Sequence, residues 1–161
     1  MPAVAKWKRA YTLEEDEAEA LWQWKEHNKA AGESIRKLIH IANELPVPRH
    51  LLTEATMERD PQFKGKLWGF INGIMKKREK QGVTAGVYDY FTPVARGKYH
   101  GLFLELKTAR GVLSKSQKRW KRWVEDEGYA AAEAFGWQKA VEILVYYEGL
   151  GPYKVEQGED K

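Results

Sequence analysis

No cysteine occurs in the 161 residues, which excludes disulfide frameworks, thiolate zinc sites and cysteine nucleophiles together. Four histidines are a poor zinc inventory by themselves. Long hydrophobic runs are also missing, since nothing approaches the ~18 consecutive apolar residues of a membrane helix. The start MPAVAKWKRAYTLEEDE lacks the apolar middle of a secretory signal. Internal repeats and low-complexity tracts are absent too. The expected setting is a reducing, intracellular compartment without a membrane partner. Net charge is only +4, so its total says little about a polyanionic partner. What the chain does have is 43% hydrophobic and 31% charged residues, the balance of a soluble globular protein with a real core.

Residues 1–12 form a basic arm, with Lys6, Lys8 and Arg9 interleaved with Trp7 and Tyr11. Such an arm is either solvated or laid on phosphate. Thr12 and Glu15 have capping-box spacing and open a helix to about Asn28, with an apolar stripe of Leu13, Ala20, Leu21 and Trp24. Acids crowd its first turn, where they suit the helix dipole. Glu17 falls on the stripe and Glu14 at its border, so one of them is expected to point inward. Arg36–Ala42 reads as a strand, with His40 on the face of Leu38 as a structural residue. Pro46 and Pro48 stop it. Residues 44–63 read as an inserted connection. Lys64–Lys80 patterns as a helix whose last turn carries Lys76, Lys77 and Arg78, and Gly82 is its natural C-cap.

Gly86–Thr92 and Gly101–Thr108 read as strands of an antiparallel hairpin, connected through Gly97. Ser114 is an N-cap candidate for a helix to about Glu127, ended by Gly128. Tyr129–Phe135 is a further strand, or else a continuation of that helix. Trp137–Tyr147 is a last amphipathic helix with Ala140, Val141, Leu144 and Tyr147 on one face. Residues 13–150 thus form one domain and 151–161 a flexible tail. The order predicts an α/β fold, a mixed sheet with helices on its faces.

The chemistry gathers between Asp89 and Gln117. On a strand, Glu105 and Lys107 share one face while Leu102, Leu104 and Leu106 share the other. A surface salt bridge is the bland reading, but GLFLEL is too apolar for a solvent-facing strand, and a buried charge needs a partner. Strand pairing can bring Asp89 beside Glu105. Two carboxylates and a lysine there would form a divalent-cation site with a charge stabiliser attached. Gln117 completes a capping box with Ser114 and can still turn its amide toward a phosphate or water. From Arg110 to Arg122 six cations (Arg110, Lys115, Lys118, Arg119, Lys121, Arg122) occur with no acid, and Trp120 and Trp123 lie among them. A solvated helix face explains such a run. Beside a carboxylate site it also suits a polyanionic substrate.

The segments Gly82–Asp89, His100–Lys107, Leu113-Ser114-x-x-Gln117, Gly128-Tyr129 and Gly136-Trp137 together resemble the VRR-NUC family of PD-(D/E)xK nucleases. The resemblance covers residues 82–148 closely. It implies a restriction-endonuclease-like core and a phosphodiesterase using Mg²⁺ or Mn²⁺. It assigns the metal to Asp89, Glu105 and the Leu106 carbonyl, and catalysis to Lys107 with Gln117 and a first-helix glutamate, Glu14 or Glu17. Stand-alone members, often phage-encoded, are homodimers that cut branched DNA such as four-way junctions. Lys76, Lys77, Arg78, Arg110, Lys115, Lys118, Arg119 and Arg122 are then the expected DNA contacts. One departure is Tyr88, which stands where the family usually has proline before the aspartate. Another is a longer connection between Asn43 and Gly82.

Overall fold

The computed structural model describes residues 14–41 and 61–155. The 1–12 arm, the Thr12 cap, residues 44–60 of the connection and residues 156–161 of the tail lie outside them. The chain divides into two compact units: residues up to Ala42 join those from Gly86 onward, and Asn43–Ala85 form the second. In chain order the elements are α1 (Glu14–His27), a 3-10 turn (Lys29–Ala31), α2 (Glu33–Arg36), β1 (Ile39–His40), α3 (Pro61–Lys80), β2 (Tyr90–Thr92), β3 (Leu102–Lys107), α4 (Lys115–Asp126), β4 (Ala130–Phe135) and α5 (Trp137–Gly149). All but α3 belong to the first unit.

The sheet has the order β1-β2-β3-β4, with β1, β2 and β3 antiparallel and β4 parallel to β3. It is the mixed sheet flanked by helices that the pattern predicts. Leu102, Leu104 and Leu106 point into a core shared with Leu21 of α1, Ile35 of α2 and Ala140, Leu144 and Tyr147 of α5. The opposite face of β3 is covered by α4, where Trp120 meets Phe103 edge-on at 5.6 Å. β3 is therefore buried on both faces, which is why its sequence is nearly continuous in apolar residues.

Two strands are shorter than the sequence suggests. Of the predicted strand Arg36–Ala42, Arg36 closes the short helix α2, and among the described residues only Ile39 and His40 are in strand. The cause is tertiary. The Glu148 carboxylate of α5 accepts the Ser34 backbone N–H and hydroxyl, capping α2 from across the molecule. Ile35 and Leu38, both buried, are then three residues apart on one turn, while His40 is exposed and stacks on Tyr90 with ring centroids 4.9 Å apart. The second is Gly86–Thr92, where only Tyr90–Thr92 is strand. Gly86 has φ +88 and is pressed against the backbone of Ser116 and Gln117, where a Cβ would have no room. In the second unit, α3 begins at Pro61, a favoured first helical residue. It ends in a Schellman-type turn, with Val83 N–H to Arg78 C=O at 3.0 Å and Gly82 at φ +84.

Candidate active site

The β2–β3 ladder runs Thr92↔Leu102, Phe91↔Phe103 and Tyr90↔Leu104. Continued by one residue, that register sets Asp89 opposite Glu105. The ladder stops there because Asp89 supplies a side chain in place of a backbone partner: its Oδ2 accepts the Leu106 N–H at 2.9 Å. Its own carbonyl accepts the Ile41 N–H at 2.8 Å. Asp89 is thus held from both neighbouring strands, and the expected cross-strand meeting with Glu105 occurs.

Glu105 is only 2% exposed. Its Oε1 accepts from Lys107 Nζ at 2.9 Å and from Gln117 Nε2. Its Oε2 is buried and has no hydrogen-bond partner among the described residues. Burial, followed by repulsion from Asp89, pushes its pKa up to about 7, with Lys107 and the Asp89 backbone N–H pulling the other way. The Lys107 methylenes lie on Gly111, where a Cβ would come within 2.9 Å of the lysine Cβ.

Gln117 closes the expected capping box, and the other end of its amide faces Glu105. Its Oε1 accepts the Ser114 N–H at 2.9 Å, and its backbone N–H goes to Ser114 Oγ at 3.1 Å, closing the capping box. Its Nε2 is left to face Glu105. The cap that starts α4 therefore also orients the amide, and neither role displaces the other.

The first-helix glutamates behave differently. Glu17 points inward, as the apolar stripe predicts, but its Oε2 accepts the Trp137 N–H at 2.6 Å and so caps α5. Gly136, at φ +97, precedes that cap and donates to the Lys107 carbonyl at 2.8 Å. Glu14 opens α1, and its side chain lies outside the described residues. Lys115, Lys118, Arg119 and Arg122 are exposed on α4 and Arg110 on the loop before it. Lys76, Lys77 and Arg78 lie on α3, in the other unit.

One cluster escaped the sequence reading. Glu133 of β4 is the register partner of Glu105 on the parallel strand, so the two share a face. Lys121 Nζ donates to both Glu133 oxygens at 2.8 and 2.9 Å, and the Tyr88 hydroxyl donates to Oε1 at 3.0 Å. The available signal was a single acid inside the otherwise uncharged run AAAEAF.

The donor set fits a hard divalent cation. A buried carboxylate oxygen without a partner beside a second carboxylate is the environment a cation would complete. Among the described residues no three acidic or histidine side chains gather closely enough to hold an ion alone. Mg²⁺ needs no such cage, because it is commonly bound by one or two carboxylates together with waters and substrate phosphates.

The core is a mixed sheet flanked by helices, with an aspartate at one strand end and Glu-x-Lys on the next strand. A solved structure described as a "VRR_NUC domain protein" has the same fold, at a TM-score of 0.63 and 21% identity, over 89% of this chain and 93% of that one. No family model and no curated protein matches the sequence. Among the described residues, no helix is long and apolar enough to cross a membrane.

Proposed function

We propose that this chain is a divalent-cation-dependent DNA endonuclease of the VRR-NUC type. The observation that carries the proposal is Glu105, a buried carboxylate with one oxygen engaged by Lys107 and Gln117 and the other without a partner, set beside Asp89. Asp89 and Glu105 would hold Mg²⁺ or Mn²⁺, with the Leu106 carbonyl as a further ligand. When bound, the ion supplies Lewis-acid polarisation of the phosphate and lowers the pKa of a coordinated water.

In the hydrolysis a water oxygen attacks phosphorus and loses a proton, and the bond to the leaving oxygen breaks as that oxygen takes up a proton. Lys107 would orient or deprotonate the water and offset charge growing on the phosphate oxygens. Gln117, held by its cap, offers a fixed amide donor to water or phosphate. The exposed cations of α4 attract the DNA backbone, and Arg110, Lys76, Lys77 and Arg78 are further candidate contacts. Branched DNA as substrate and a homodimer as the working form rest on the sequence resemblance over residues 82–148.

The test is cleavage of four-way junctions, flaps and linear duplexes side by side in Mg²⁺ or Mn²⁺. The expected result is cutting that requires the ion, prefers the junction and is lost in Asp89→Ala. Equal cutting by Asp89→Ala would reject the site. Salt-sensitive binding with no scission in either ion would identify a DNA-binding module instead.

A further inference from the structure

We infer that Tyr88, Glu133 and Lys121 act as positioning residues that brace Asp89 from β4 and α4 and so set the cation affinity of the site. This rests on the proposed metal-dependent reading. Tyr88 immediately precedes Asp89 and is fully buried. Its hydroxyl reaches past β3 to Glu133 on β4, at 3.0 Å. Glu133 is in turn held by both of its oxygens on Lys121 of α4. Burial and the neighbouring Glu133 charge push the Tyr88 hydroxyl pKa upward, so it stays a donor.

The same helix touches the segment at a second point. Gly86 packs on the α4 backbone at Ser116 and Gln117, about one turn before Lys121. Chain 86–88 is therefore tied to α4 at both ends, once through backbone and once through the Tyr88–Glu133–Lys121 chain. Gln117 of α4 holds Glu105. One helix thus reaches toward both candidate metal ligands, and the brace adds to the Leu106 and Ile41 hydrogen bonds that already hold Asp89. A core tyrosine serving only as filler would not need its hydroxyl.

The experiment titrates Mn²⁺ into the 161-residue chain without DNA, for the wild type, Tyr88→Phe and Lys121→Met, and records thermal midpoints alongside. Tyr88→Phe keeps the ring and loses only the hydroxyl. Its Mn²⁺ affinity should fall by up to about tenfold, the low end for losing a group that helps orient a metal ligand. DNA affinity in chelator should be unchanged, and cleavage should recover at raised Mn²⁺. Lys121→Met leaves Glu133 without its clamp and should weaken Mn²⁺ binding in the same direction. Wild-type affinity in both variants, with their folds intact, would overturn the brace. Lost cleavage that extra Mn²⁺ does not restore would also overturn it. A wild type that binds no Mn²⁺ would remove the metal-dependent reading itself, a result distinct from either.

Discussion

Glu105 and Glu133 stand level on neighbouring parallel strands, on the same face of the sheet and under the same helix. Their surroundings differ. Both oxygens of Glu133 have partners, the one Lys121 ammonium on both and a tyrosine hydroxyl besides, and the side chain is 16% exposed. Glu105 is 3% exposed at the side chain and has one oxygen with no hydrogen-bond partner among the described residues. A buried carboxylate whose hydrogen bonds are complete has no need of a ligand, whereas an incomplete one costs free energy until something fills it. The difference separates a structural acid from a candidate ligand more sharply than residue type or position can.

The largest expected effect lies on the Glu105 side. Glu105→Gln, Asp89→Ala and Lys107→Ala should each lower the cleavage rate by about 10³-fold or more, with DNA binding in chelator kept. Glu133→Gln should cost far less, about tenfold, through cation affinity. Equal losses at the two glutamates in a cleavage assay would break the contrast.

On the other face of β3, Leu104→Ala should cost about 2–5 kcal/mol of stability, read by urea unfolding. A smaller loss would mean that the core tolerates a gap directly behind Glu105.

The raised pKa of Glu105 makes a third prediction. Its protonated form is favoured by folding, so in the metal-free protein this contribution is complete below 4.5 and is lost as pH rises through about 7. A cation must displace that proton. Mn²⁺ affinity should therefore climb about tenfold per pH unit up to about 7 and level off above it. Calorimetric titration across that range checks this, and Glu105→Gln should flatten the profile.

The smallest expected effect is at Glu17. Glu17→Ala removes the cap of α5 and should cost about 1 kcal/mol. Lost cleavage at unchanged stability would return Glu17 to the site.

Much of this was legible in the sequence. The alternation in Leu102–Lys107 placed Glu105 and Lys107 on one face, and the hairpin register brought Asp89 opposite Glu105. Ser114-x-x-Gln117 announced its capping box. These features depend on strand period and on spacings within about one turn, which local chemistry decides. Where the reading stopped short, long-range contacts had intervened. Glu148 holds a helical turn at Ser34, just ahead of the stretch Arg36–Ala42 that patterns as a strand, and the turn takes Arg36 out of it. The N-terminus of α4 held Gly86 out of the sheet.

By itself, then, the sequence determined most of the order of elements, the shared face of Glu105 and Lys107 and the basic helix that follows, because each follows from local periodicity. Only the tertiary structure decided which acids have partners. It turned Glu17 to the N-terminus of α5, gave Glu133 to Lys121 and Tyr88, and left one oxygen of Glu105 without a partner. Hydrogen-bond completion depends on which groups from distant segments arrive at one place, and no spacing within a single strand or helix encodes that.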